Sequence, residues 1–374
     1  MTNNESDLLA EVDRIARDVV GPNAAKVDAE GAFPSAAIEA LAAAGVLGLT
    51  SATEVGGAGL GLRQAAAAVE RLARECASTA MIVTMHFSAA GVIEKLAPQA
   101  LRREVAKGRL VTLAFSEAGS RSHFWAPTST ATADGASVRL DAKKSWATSA
   151  NHADYVWSSK PVSAEGLSTI WFVPRATAGI TTGPRFDGLG LRGNDSTSIT
   201  ASGATISESS RLGVDGKGFD AMMGIVLPTF QVLSAACSIG LMETAVARAA
   251  QHAATTSFEH LGSPLRDLPT IRAYLARMRV QTDMAKGLLA DTLEAIERAR
   301  PDAMLRVLEV KAGAGETATN VLDIAMRVSG GAAFRKEVGV ERLFRDARAA
   351  TVMAPTTDVL YDFIGKAVTG MDLF

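Results

Sequence analysis

Apolar residues recur at helical spacing from the start of the chain. Leu8, Leu9, Val12, Ile15, Ala16 and Val19 share one face, which predicts an amphipathic helix stopped by Gly21-Pro22. Ser35, after Pro34, is the expected N-cap of the next helix, with Ile38, Leu41 and Ala42 on its inner face up to Gly45. Arg63 to Ala97 is alanine-rich, with Val69, Leu72 and Cys76 at helical intervals, so its helix axes can approach closely. Near residue 110 the period changes. Val111, Leu113 and Phe115 alternate as in a strand. Thr130 and Thr132, the turn Asp134-Gly135, then Val138 and Leu140 read as a hairpin. Tyr155–Ser158, Thr169–Val173 and Ser198–Ile206 are further strands, and Asp187–Asp195 is a glycine-rich connection. From Gly218 the helical period returns in Phe230–Ala254, Leu268–Arg298, Ala303–Val328 and Val340–Ala367, with Pro269 and Pro301 near helix starts.

This order predicts an α+β multi-domain chain. A helical domain spans 1–112, a β-domain 113–215, and a helical bundle of the four-helix kind 216–374. The length of 374 residues suits two or three domains. Lys plus Arg number 38 and Asp plus Glu 40, a formal charge of −2, which lacks the cation surplus of a nucleic-acid binder. Hydrophobic residues make up 48% and charged residues 21%, too apolar a mixture for disorder. Cys76 and Cys237 stand alone, with no CxxC or zinc spacing, and the polar start MTNNESDLLAEVDRIARDVV has no apolar leader core. A soluble cytoplasmic protein, without membrane or metal, is the expectation.

Common catalytic signatures are missing: there is no GxSxG, HExxH or GxxxxGK[ST]. The histidines, His86, His123, His152, His252 and His260, do not cluster and read as surface or satisfied core residues. Glu54–Gly61 is glycine-rich, but no strand precedes it, so it reads as a turn. Lys144–Ser149 (KSWATS) joins an indole, hydroxyls and backbone donors on a strand. Such a set suits a planar heteroaromatic ring, which offers a π-face and hydrogen-bonding edges. A core tryptophan beside a polar strand end is the plainer reading of that segment alone.

Six segments in order carry a resemblance. Glu54–Leu62 (EVGGAGLGL) is similar to a glycine-rich stretch, Phe115–Ser122 (FSEAGSRS) to a T-E-P-x-x-G-S-D loop, and Lys144–Ala150 (KSWATSA) to a K-x-W-I-T-N-A strand. Gly188–Asp195 (GLGLRGND), Leu212–Phe219 (LGVDGKGF) and Gly330–Arg348 (GGAAFRKEVGVERLFRDAR) follow at matching spacings. Together they resemble the acyl-CoA dehydrogenase superfamily over almost the whole chain. The resemblance implies a helical domain, a β-barrel domain and a four-helix bundle, with FAD at the junction of barrel and bundle. It implies flavin contacts at Phe115, Ser116, Ser122, Trp146 and Thr148, with Ser122 also reaching the substrate's thioester end. Gly330 and Gly331 match a helix end that reaches a neighbouring subunit's FAD, and Thr356 and Asp358 a flavin-side turn. A homodimer or homotetramer follows, with electron-transfer flavoprotein or a flavin reductase as the redox partner and an acyl thioester as substrate.

The pattern breaks at the base. The family's reaction removes an α-proton with a glutamate while the β-hydrogen leaves as hydride to the flavin, and the base must lie within hydrogen-bonding reach. The glutamate's place in Y-E-G-T-x-[QE]-I is Ala354, in Met353–Val359 (MAPTTDV). The alternative position, on a bundle helix, is Phe230, followed by Gln231 where an arginine is common. Phe230 and Ala354 therefore join Ser122 as expected substrate-pocket residues, and Asp358 and His123 are the substitute base candidates. The arginine that pairs with the FAD pyrophosphate is replaced by Phe258, ahead of Leu261-Gly262, and Arg327 is a candidate replacement cation. Three readings remain open. The first is dehydrogenation with a substitute base or an unusually acidic substrate. The second is a flavin monooxygenase, with FAD or FMN, which Pro264–Thr270 (PLRDLPT) resembles although Met353 stands where a histidine is common. The third is a lyase-like or flavin-holding scaffold.

Overall fold

A computed structural model of the chain describes residues 3–121, 123–260 and 262–373. The first helix, α1 (Asn3–Ile15), passes through a five-residue π-turn at Ala16–Val20 directly into α2 (Gly21–Glu30). Gly21-Pro22 is therefore no stop. The Gly21 N–H reaches back to the Ala16 carbonyl, and the missing N–H of Pro22 falls in the first turn of α2, where it has no helical partner to lose. The true end is Gly31, left-handed at φ 58°. Pro34, not Ser35, occupies the N-cap of α3 (Ser35–Ala43). The alanine-rich stretch is two helices, α4 (Leu62–Glu75) and α5 (Ala77–Leu96), parted at an extended Cys76; α6 (Gln99–Ala106) follows. Helix α5 is buried along most of its length and is the spine against which the other domains pack.

The middle of the chain forms two four-stranded sheets. One has the order β1 (Val111–Ala114), β4 (Asp154–Ser159), β5 (Thr169–Val173), β8 (Arg211–Leu212). The other has the order β2 (Thr130–Asp134), β3 (Ser137–Ala147), β7 (Thr197–Ser207), β6 (Ile180–Thr182). β1 runs parallel to β4, and the other pairs are antiparallel. Val138, Leu140, Tyr155, Trp157, Trp171, Ile199 and Ile206 fill the space between the sheets. The predicted alternation of β1 is not seen in its burial, because α5 covers one face and the opposite sheet the other.

The helical period then resumes in α7 (Gly218–Ala221), a second π-turn at Met222–Val226, and α8 (Leu227–Thr255). The stretch Gly218–Thr255 is long and apolar enough to cross a membrane, but 83% of its apolar window is buried against the protein's own helices. A short hairpin of β9 (Ser257–Phe258) and β10 (Ser263–Pro264) leads to α9 (Pro269–Glu297) and α10 (Ala303–Ser329). The last predicted helix, Val340–Ala367, is three pieces: α11 (Val340–Ala347), α12 (Ala349–Val352) and α13 (Thr357–Thr369). The break falls at Met353–Thr356, where Pro355 removes a helical donor and Thr356 starts a new helix as its N-cap. Helices α8, α9 and α10 pack side by side, α13 packs on α10, and α4 packs along α8. At the α4–α8 crossing, a Cβ on Gly240 would stand 2.4 Å from the Glu70 carbonyl oxygen, so only glycine lets the axes approach.

Candidate functional site

A cavity of about 560 Å³ opens where the sheets, the bundle and α5 meet. Its floor is apolar: Met81 and Met85 from α5, Leu113 from β1, and Val226, Leu227 and Phe230 from the bundle. Its sheet-side wall carries the hydroxyls of Ser116, Ser145, Thr148 and Ser196 around the indole of Trp146. Met353 and Ala354, from the break before α13, also line it.

The polar wall is made by a fault in the ladder. β3 pairs with β7 in regular runs broken twice, by one slip between Leu140 and Ala142 and a second between Lys144 and Ala147. Trp146 sits in this bulge at φ 58°, a left-handed conformation that a large aromatic residue rarely adopts. The bulge turns the indole out of the sheet, so it is 66% exposed at the cavity and meets Phe186 at 4.5 Å between ring centroids. Thr148 is buried, and among the described residues its hydroxyl has only a long contact, 3.4 Å, to the Ser196 hydroxyl. Ser145 donates its N–H to the Ser116 carbonyl at 2.9 Å, which ties the 115–121 loop to the bulged strand.

One residue further, Glu117 and Lys144 form a fully buried ion pair at 2.6 Å. Glu117 also accepts from the N–H groups of Thr128 and Ser129 and from both their hydroxyls. Lys144 also donates to the Ser158 carbonyl at 2.6 Å. Burial alone would raise the Glu117 carboxyl, but the Lys144 charge and these hydrogen bonds outweigh it and hold it below the usual range. Among the described residues, Glu117 is the one carboxylate on the cavity wall, and both its oxygens are taken. No described wall residue is a carboxylate free to accept a proton.

Opposite, Lys311 of α10 is buried behind Ala354. Its ammonium donates to the carbonyls of Met353 at 2.9 Å and Pro355 at 2.7 Å, and lies 6.0 Å from the Phe230 ring centre. Burial without an acid partner pushes it down to about 7. Sequence reasoning misses Lys311. Its signal is a lysine on the buried face of α10, in line with Val307, Leu308, Ala314 and Ala318.

Phe115, Ser116, Trp146, Thr148, Phe230 and Ala354 are thus brought together around one cavity. Ser122 lies outside the described residues. His123 is exposed and turned edge-on to Trp125, with ring centroids 5.0 Å apart, and does not line the cavity. Asp358 is exposed on the first turn of α13, and Thr356 accepts from the Val359 N–H as that helix's cap. Neither base candidate, His123 or Asp358, is among the described residues that line the cavity. Arg327 is exposed, donates to the Tyr274 hydroxyl at 2.6 Å, and stacks over that ring. Gly330 and Gly331 are exposed at the end of α10. Of the other histidines, His86 is a satisfied core residue, bonded to the Leu47 carbonyl at 2.8 Å and pushed by burial to about 4.

Comparison with known proteins gives this architecture a family. The chain matches the N-terminal domain of acyl-CoA dehydrogenase over residues 2–109, the middle domain over 112–203 and the C-terminal domain over 216–369. It is 29% identical over 348 residues to the short-chain specific acyl-CoA dehydrogenase of Bos taurus mitochondria, covering 90% of this chain and 83% of that one. It is 26% identical to the cyclohex-1-ene-1-carbonyl-CoA dehydrogenase of Geobacter metallireducens, covering 98% of each chain. The solved butyryl-CoA dehydrogenase of Megasphaera elsdenii shares its fold, with a TM-score of 0.92 over 99% of each chain at 22% identity. Three domains converging on one aromatic and hydroxyl-lined cavity define an oxidoreductase of the flavoprotein type. The chain belongs to the acyl-CoA dehydrogenase family, whose members are FAD-dependent.

Proposed function

We propose that this protein is an FAD-dependent oxidoreductase that acts on the CH–CH group of an acyl thioester, with alanine at the customary base position. The observation that carries the reading is the cavity wall, where the bulged Trp146 offers a π-face beside the Thr148, Ser116, Ser145 and Ser196 hydroxyls. That donor set fits an isoalloxazine, a planar ring with a polar edge. Bound there, the flavin would supply the two-electron acceptor for a hydride. Thr148 and Ser116 would hold its polar edge and Trp146 would cover its face.

The apolar floor of Met81, Met85, Leu227 and Phe230 suits an acyl chain and excludes water from it. Ala354 accepts no proton, and Glu117 is committed to Lys144. With no free carboxylate on the described wall, the reading calls for a substrate whose α-carbon is acidified by a second group. The Lys311 ammonium holds the carbonyls on both sides of Ala354 and keeps this turn against the cavity.

The test is a flavin spectrum of the purified protein, followed by anaerobic titration with acyl-CoA thioesters. Bleaching of oxidised flavin supports the reading, and protein that neither carries nor takes up flavin overturns it. The lack of a free carboxylate among the described wall residues also favours a second reading, a flavin monooxygenase supplied with reduced flavin by a partner reductase. That chemistry needs no protein base at the α-carbon, and oxygen in the product would identify it. A homodimer or homotetramer is part of the proposal. Phe334, 80% exposed beside Gly330 and Gly331, and the exposed Val280 and Met284 of α9 give it an apolar surface to cover. Light scattering on the eluted protein tests this.

A further inference from the structure

Two arginines line the cavity, Arg121 and Arg192, and their situations differ. Arg192 is spent on its own loop, with an ion pair to Asp187 and hydrogen bonds to the carbonyls of Asp28 and Gly188. Arg121 has no ion pair or side-chain hydrogen bond among the described residues, and it is exposed at the cavity rim. Its backbone is held at φ 49° by the turn in which its N–H donates to the Glu117 carbonyl at 3.1 Å. A long side chain in the left-handed region is strained, and glycine would relieve that strain. The chain thus keeps an uncompensated cation in a conformation that suits glycine better.

The wall tells what such a cation would meet. With Glu117 neutralised by Lys144 and Arg192 by Asp187, Arg121 supplies the one uncancelled charge on the described lining. The interior offers apolar side chains and neutral hydroxyls, so a ligand's charged part belongs at the rim and its neutral part inside. A guanidinium presents two parallel N–H donors that match adjacent oxygens of a phosphate.

We propose that Arg121 is the anchor for a diphosphate group at the rim of this cavity. The proposal rests on the flavin and acyl thioester reading above. Both FAD and coenzyme A carry a diphosphate between an adenosine and the part that enters an active site, so the same chemistry has two sources.

Arg121→Gly is the test, because it removes the cation while easing the backbone, and Arg121→Lys retains the charge without the fork. Flavin-stripped wild type and both variants are titrated with FAD and with riboflavin, which lacks phosphate, by flavin fluorescence. The flavin-loaded proteins are then titrated with an acyl-CoA and the matching acyl-pantetheine. If FAD is the source, Arg121→Gly weakens FAD binding roughly ten- to a hundredfold. Riboflavin binding is then unchanged, and Arg121→Lys lies between. If coenzyme A is the source, the same loss falls on the acyl-CoA and spares the acyl-pantetheine. Unchanged affinities for both, or equal losses for ligands with and without the diphosphate, overturn the assignment of Arg121. Wild type that takes up neither FAD nor acyl-CoA overturns the reading of the site itself, and this proposal with it.

Discussion

The Lys311 ammonium donates to the Pro355 carbonyl at 2.7 Å, from within the bundle and with no carboxylate among the described residues to balance it. A second bond, to Met353, grips the other side of Ala354. The turn that interrupts the last helical segment is thus fastened to α10 by a single cation. It supplies a donor to the half-buried Met353 carbonyl and to the buried Pro355 carbonyl.

That cation gives stability a pH dependence. Its folded value of about 7 lies below the ordinary 10.5, so between these limits the unfolded chain binds more protons than the folded one. Unfolding free energy therefore rises with pH across this window, by at most about 1.4 kcal/mol for each pH unit crossed. Urea titrations between pH 7 and 10 will show wild type gaining stability, on the order of several kcal/mol at the limit. Lys311→Met will flatten this contribution to the slope while losing the two hydrogen bonds. An unchanged slope in Lys311→Met would count against a depressed lysine.

Glu117→Gln will cost about 3–5 kcal/mol, because it leaves the Lys144 charge buried without its partner. The double variant Glu117→Gln, Lys144→Met will recover much of that loss. Denaturation of the four proteins of the cycle gives the coupling. Additive losses would mean that the pair contributes no joint energy.

Ala354→Glu will bind flavin as wild type does, because the position belongs to the turn before α13 and not to the strand that carries Trp146. It will gain acyl-CoA dehydrogenase activity, read as anaerobic flavin bleaching by a simple acyl-CoA. A folded, flavin-loaded variant without that gain would mean that the cavity has diverged beyond its base.

Gly240→Val will destabilise the protein by roughly 1–3 kcal/mol or more by overpacking. The added side chain meets the Glu70 carbonyl and the Ala73 methyl where α4 crosses α8. Thermal melts of the variant and wild type check this.

Much of the fold is legible because local periodicity decides it. Thr169–Val173 is a strand with the bounds its β-branched and aromatic run implies, and Phe230–Ala254 lies within α8. Gly21-Pro22 and Val340–Ala367 mislead, because a helix can absorb a proline in its first turn yet break at one farther along. For the site, motif order points to Trp146 and Thr148. The exhaustion of Glu117 is not legible, since Lys144 is 27 residues away and meets it only through the pairing of the loop with the bulged strand. Lys311 is hidden by its chemistry: a lysine on a buried helical face looks like a solvated one until the helix finds its neighbours.

Trp146 has a further consequence. Trp125, Trp157 and Trp171 are buried, so this indole is the one that a dissolved quencher such as acrylamide can strike. The protein therefore carries an intrinsic optical reporter at the cavity mouth. Any molecule that settles over that ring will shield it, and the lost quenching reports occupancy without a label.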